Sequence, residues 1–134
     1  MKKVVLLLRV STNSQDYEYQ RSTLTDLCKR NGWQIVNTFE NKVSGAKKNE
    51  ERTEIVELLG YIKNNEVDMV MSTEVSRVGR NTLEALKTIE ILNENKVNLY
   101  FANYNIETLL PDKTVNPIAS QSTMAVNVNH TWND

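Results

Sequence analysis

Apolar positions follow two rhythms along this chain. Residues 4–8 read VVLLL, a continuous apolar run of the kind found in a strand buried on both faces. Residues 67–71 and 97–101 are further short apolar stretches and predict a third and a fourth strand. Residues 33–39 alternate loosely and predict the second. Between them the rhythm changes to that of a helix. Ile55, Leu58, Leu59 and Ile62 stand at i, i+3, i+4 and i+7 and predict a helix over 50–64. Tyr17, Leu24, Leu27 and Cys28 form the apolar stripe of a helix over 15–30, ended by Asn31-Gly32. Leu83, Leu86, Ile89 and Leu92 place a helix over 82–95. Strands alternating with helices imply parallel pairing and right-handed crossovers. The expected fold is α/β, a three-layer sandwich around a mostly parallel central sheet of four or five strands.

Residues 41–49 are polar, contain Ser44-Gly45 and predict a mobile loop. After Leu110 the pattern weakens. Pro111-Asp112 and Asn116-Pro117 are turn or helix-start signals, and Val126-Asn127-Val128-Asn129 is a poor helix sequence. Residues 1–110 are therefore expected to form the core, with 111–134 the start of a shortened helix or a loosely ordered tail.

At 134 residues the chain supports one hydrophobic core. Its start, MKKVVLLLRV, mimics a signal peptide. The apolar run is only about five residues, against roughly 7–15 for a signal core, and no small-residue cleavage site follows. No run approaches the roughly 20 apolar residues of a membrane span. A cytoplasmic protein with no membrane partner is expected. The single cysteine, Cys28, lies on an apolar stripe and is read as core. The single histidine, His130, has no Cys or His at ligand spacing, so no metal site is expected. The net charge of −1 argues against autonomous, tight binding to nucleic acid, because phosphate contacts demand a basic excess. A local cationic site remains compatible with it.

Such a site is predicted where the strands end. In open parallel sheets, ligands gather beyond the carboxyl ends of the strands. Arg9-Val10-Ser11-Thr12 follows the first strand. Ser44 follows the second, with Arg52 just beyond it on the next helix. STEVSRVGR, residues 72–80, follows the third and carries Arg77 and Arg80. One hydroxyl among four guanidinium groups suits attack on a phosphate ester. Arginine offers planar, permanently charged donors to phosphate oxygens, and several of them stabilise charge building on phosphorus. A helix beginning near Ser11 also favours anions. There is no carboxylate cluster for magnesium and no glycine-rich nucleotide loop, so the implied chemistry uses no metal and no cofactor. Singly, each residue has an ordinary explanation: Ser11 as a helix cap, Arg9 as a surface ion pair, Arg77 and Arg80 as a solvated turn around Gly79. Their recurrence at three strand ends favours a site. Arginines so placed repel one another without a bound phosphate, and a loosely formed site is expected.

These motifs resemble those of the serine recombinases, the resolvase/invertase family. Arg9-Val10-Ser11-Thr12 with Gln15 is similar to the family's nucleophile motif. Ser44-Gly45 with Glu51-Arg52 is similar to its second block, and Val75-Ser76-Arg77-Val78-Gly79-Arg80-Asn81 to its third. Together the blocks span roughly residues 3–110, in the family's order and at about its spacing. The resemblance implies a resolvase-like catalytic domain in which Ser11 attacks a DNA phosphodiester. A 5′-phosphoserine link and a free 3′ hydroxyl result. Arg9, Arg52, Arg77 and Arg80 would bind and activate the phosphate, supported by Gln15, Ser44 and Ser76. It further implies DNA as partner, strand exchange by a homodimer or tetramer of the full-length protein, and resealing without ATP or metal. Ser76 stands where many small resolvases carry an aspartate, which is more like the large serine recombinases. Family members continue into a dimerising helix and a DNA-binding domain, so this segment is not expected to recombine DNA unaided.

Two other readings fit parts of the pattern. One is a non-catalytic oligomerisation or regulatory module on the same fold, favoured by the polar tail. The other is a small phosphate-ester hydrolase or nucleotide binder, disfavoured by the missing glycine-rich loop.

Overall fold

The computed structural model describes residues 1–10, 14–42, 53–74, 77–79 and 81–117. Five strands and three helices are formed among them. They run in the order β1 (Lys3–Val10), α1 (Ser14–Asn31), β2 (Gln34–Lys42), α2 (Thr53–Asn64), β3 (Met69–Ser72), α3 (Thr82–Glu94), β4 (Asn98–Phe101) and β5 (Ile106–Glu107). The sheet order is β2-β1-β3-β4-β5. The first four strands are parallel, and β5 returns antiparallel to β4.

The apolar run in β1 is explained by this order. Val4, Leu6 and Leu8 point to one face, against Leu24 and Cys28 of α1 and Met69 and Met71 of β3. Val5 and Leu7 point to the other, against Ile55, Leu58 and Ile62 of α2 and Ala85, Ile89 and Leu92 of α3. Both faces are covered because the chain reverses direction across the sheet. From β1 it steps outward to β2; from β2 it steps back past β1 to β3 and β4. Right-handed crossovers in opposite directions put their helices on opposite faces. Hence α1 covers one side, and α2 and α3 the other.

Local signals set the helix ends. Gly32 adopts φ +69, and Trp33 N–H donates to the Cys28 carbonyl at 2.9 Å, a left-handed stop that glycine permits without strain. Asn81 caps α3, its side chain accepting from Glu84 N–H at 3.0 Å. Cys28 is core as expected, with its Sγ 3.5 Å from Met71 Sδ, and burial pushes its thiol pKa up.

Two expectations are corrected, and the fifth strand is located. The face of α3 is rotated: Ala85, Thr88, Ile89 and Leu92 are buried, while Leu83 is 62% exposed. The helix packs along an i, i+3, i+4, i+7 stripe beginning at Ala85. The choice of large residues alone shifted the predicted stripe. The fifth strand, within the expected four or five, is β5, too short at two residues to leave a period. Polar side chains fasten it to the sheet. Thr108 Oγ1 accepts from Leu99 N–H at 3.0 Å, and Asn98 donates to Glu107 at 2.8 Å and accepts from Leu109 N–H at 3.0 Å. Secondly, β2 runs on to Lys42, into the stretch expected to be loop, because residues up to Lys42 pair with β1. Beyond β5, residues 109–116 turn back on themselves: Leu109 bridges Val115, and Asn116 N–H donates to the Thr108 carbonyl at 2.9 Å. Residues 118–134 lie outside the described residues.

The rotated α3 face makes a paired prediction. Leu7→Ala, fully buried, is expected to cost about 2–5 kcal/mol in urea denaturation. Leu83→Ser is expected to stay within about 0.5 kcal/mol. A large loss from the second substitution would return Leu83 to the core.

Candidate active site at the carboxyl ends of two central strands

The reversal in strand order has a location. It lies between β1 and β3, which pair directly with Val4 opposite Met69 and Leu6 opposite Met71. A switch point of this kind opens a crevice at the carboxyl edge of the sheet, because the connections leaving the two strands diverge to opposite faces. Arg9 is the penultimate residue of β1. Ser72 closes β3, buried, and Arg77 follows in the connection to α3. The first turn of α1, carrying Gln15 and Asp16, stands at the same edge.

The side chain that organises this edge is Gln20. It is 1% exposed, although it is polar and lies in the middle of a helix. Its Nε2 donates to the Arg9 carbonyl at 3.0 Å and to Asp16 Oδ2 at 3.0 Å. Its Oε1 accepts from Arg9 N–H at 3.4 Å. A buried amide is tolerated when its donors and acceptor are used, and here both ends of the amide are engaged. The Arg9 peptide groups, at the open end of a strand, are held in turn.

Arg77 is reached by the same chain of contacts. Its Nη2 lies 3.7 Å from Asp16 Oδ1 and 3.3 Å from Glu74 Oε1. Two carboxylates flank Arg77 and offset its charge. Both separations exceed the roughly 2.7–2.9 Å of close charge-assisted hydrogen bonds. The pairs therefore act by charge rather than through short, directional hydrogen bonds.

The segment carrying Arg77 is pressed against the start of α3. Gly79 makes this possible: a Cβ there would stand 2.4 Å from Ala85 N and 2.8 Å from Glu84 C. Those neighbours are backbone and cannot swing aside.

Of the residues expected in the site, Arg9, Gln15 and Arg77 are described, and all three lie at this carboxyl edge. Arg9 and Arg77 are linked through Gln20 and Asp16, while Gln15 is exposed on the first turn of α1. Ser11, Ser44, Arg52, Ser76 and Arg80 lie outside the described residues. Asp16, Gln20 and Glu74 were not anticipated. Gln20 did leave a signal. It stands three residues after Tyr17 and four before Leu24, so it is a polar residue on the apolar stripe of α1. A separate groove of about 660 Å³, lined among others by Leu86, Ile89, Asn93 and Val115, runs along α3 away from this edge.

Comparison with known proteins points in one direction. Residues 4–123 match the sequence family described as "Resolvase, N terminal domain". The fold is similar to that of the N-terminal catalytic domain of TP901-1 integrase, at 26% identity and a TM-score of 0.73, covering 96% of this chain and 93% of that one. It is similar to a resolvase family site-specific recombinase from Streptococcus pneumoniae, at 26% identity and a TM-score of 0.74, covering 96% and 88%. The C-terminal catalytic domain of ISC1926 TnpA, an IS607-like serine recombinase, shares the fold at 23% identity and a TM-score of 0.58, over 75% of this chain and 69% of that one.

Two substitutions test the geometry. Gln20→Leu, which strands the Arg9 peptide groups, is expected to destabilise by about 1–3 kcal/mol in chemical denaturation. Gly79→Ala is expected to cost about 1–3 kcal/mol through the backbone clash, with a lowered melting temperature. Wild-type stability in either variant would contradict the contacts described.

Proposed function

Since this chain belongs to the resolvase N-terminal domain family, whose members are recombinases that break and rejoin DNA, we propose that Ser11 is its nucleophile and that the switch point between β1 and β3 is where the scissile phosphate sits. The observation that carries this reading is the placement of Arg9 and Arg77. They come from segments 68 positions apart in the sequence (77 minus 9), and the Gln20 amide that holds the Arg9 peptide groups also holds Asp16, whose other oxygen faces the Arg77 guanidinium. Ser11 follows Arg9 by two residues in the sequence.

The proposed chemistry is a transesterification. The Ser11 hydroxyl oxygen bonds to phosphorus and gives up its proton. The bond from phosphorus to the 3′ oxygen breaks, and that oxygen leaves as a hydroxyl. One phosphate ester replaces another, so the bond energy is kept in the 5′-phosphoserine link. Attack by a 3′ hydroxyl on that link reverses the step and reseals the strand without ATP. Arg9, Arg52, Arg77 and Arg80 neutralise charge on the phosphate oxygens as the fifth bond forms, which is where permanently charged, forked donors contribute most. Gln15, Ser44 and Ser76 support the site by hydrogen bonding. The roles of Ser11, Ser44, Arg52, Ser76 and Arg80 rest on the sequence blocks that hold them.

Other parts of the reading follow from the family. The full-length protein acts on DNA in the cytoplasm as a homodimer or tetramer. In this reading residues 1–110 form the catalytic core, and 111–134 are the start of a dimerising helix or a loosely ordered tail. The near-neutral charge of the chain fits a reading in which these 134 residues do not carry tight DNA binding by themselves.

The test is a duplex nicked so that the cleaved strand diffuses away and traps the covalent intermediate. Full-length protein is expected to yield a denaturation-resistant adduct with DNA, and Ser11→Ala none. An adduct formed at the normal rate without the Ser11 hydroxyl would overturn the assignment.

A further inference from the structure

We propose that Asp16 is a positioning residue for the phosphate site, holding the Arg77 guanidinium toward the end of β1 through its contact with Gln20. The inference rests on the reading of the site given above and deepens it. It begins with the two oxygens of one carboxylate. Asp16 Oδ2 accepts from Gln20 Nε2 at 3.0 Å, and the same nitrogen donates to the Arg9 carbonyl at 3.0 Å. Asp16 Oδ1 faces Arg77 Nη2 at 3.7 Å. One oxygen is thus fixed by a directional hydrogen bond to a buried amide, and the other is left to act by charge.

This division matters because the two arginines arrive on different elements. Arg9 lies on a central strand, and its N–H and carbonyl are both bonded by Gln20. Arg77 lies in the connection between β3 and α3, on a long side chain with many rotamers. Glu74 also touches Arg77, at 3.3 Å, but it belongs to the same connection, three residues earlier. That pair steadies the guanidinium within its own segment. Asp16 approaches from α1 and ties Arg77 to the element that already holds Arg9. Two guanidinium groups must act on one phosphate, so their separation has to be set before the phosphate arrives.

The looseness of the contact fits this role. At 3.7 Å the carboxylate attracts the guanidinium without capturing a donor in a short bond. Arg77 remains 25% exposed beside an Asp16 that is itself only 30% exposed. A phosphate can then take the donors while the carboxylate still restricts where the side chain points.

The experiment uses full-length protein and the nicked duplex, with three variants of Asp16 measured for DNA affinity, adduct formation rate at saturating DNA, and melting temperature. Asp16→Asn keeps an oxygen for Gln20 but removes the charge facing Arg77. It is expected to form adduct roughly ten- to a hundredfold more slowly at saturation, with DNA affinity and melting temperature unchanged, since a misplacement of about 1 Å can cost that much. Asp16→Ala is expected to be at least as slow, and Asp16→Glu to recover part of the rate. In an Arg77→Ala background, Asp16→Asn is expected to add no further loss to the residual adduct. Wild-type or faster adduct formation by Asp16→Asn would overturn the proposal, the faster case meaning that the carboxylate competes with phosphate. So would a loss in Asp16→Ala that tracks melting temperature alone while Asp16→Asn behaves normally. Ser11→Ala in parallel separates the two claims. Adduct that requires Ser11 but is indifferent to Asp16 defeats only this inference. Absence of adduct from the wild type, or adduct independent of Ser11, defeats both.

Discussion

Parallel pairing of β1 with β3 is the constraint on which the rest of the molecule depends. It makes β1 a central strand, so Val4 to Leu8 must be apolar on both faces. It forces the chain to leave β1 in one direction and return past it in the other, which divides the helices between the two faces. It also sets the carboxyl ends of β1 and β3 side by side, and each end leads directly into one of the arginine-bearing segments. A different neighbour for β1 would leave the same residues on the same elements with no common site.

Hydrophobic burial supplies the cohesion, but the site edge is ordered by polar contacts. Peptide groups at the end of a strand lose their ladder partners and need others. Gln20 meets that need for Arg9, and its burial makes the contact costly to break. Because the same amide also holds Asp16, local satisfaction of one peptide reaches Arg77 in a neighbouring segment. The carboxylates beside Arg77 offset its charge locally. At these separations they act by charge rather than through short, directional bonds.

Much of the fold was legible in the sequence, and the misses have physical causes. Burial on both faces is written directly in VVLLL, and helical stripes in α1 and α2 fall where Leu24, Cys28, Ile55, Leu58 and Ile62 are buried. The α3 stripe was misjudged because Ala85 and Thr88 carry little hydrophobic signal, yet small residues are what a helix needs where it lies close to a neighbouring backbone, here that of Gly79. The two residues of β5 are held by Thr108, Asn98 and Glu107, side chains that propensity reads as loop. Arg9 and Arg77 were visible as candidates; Asp16 and Glu74 were not, since a lone carboxylate on a surface helix or in a loop looks like solvation.

The sequence by itself determined the first four strands and the three helices, the buried faces of α1 and α2, and which residue types wait at the strand ends. Those properties are local: a period in hydrophobicity reports that a segment is covered, not by what. Only the tertiary structure decided the order of the strands, the switch point between β1 and β3, and the link from Arg9 through Gln20 and Asp16 to Arg77. Such contacts join positions far apart along the chain, and their partners are chosen by packing and by the handedness of the crossovers, neither of which is encoded in any one segment.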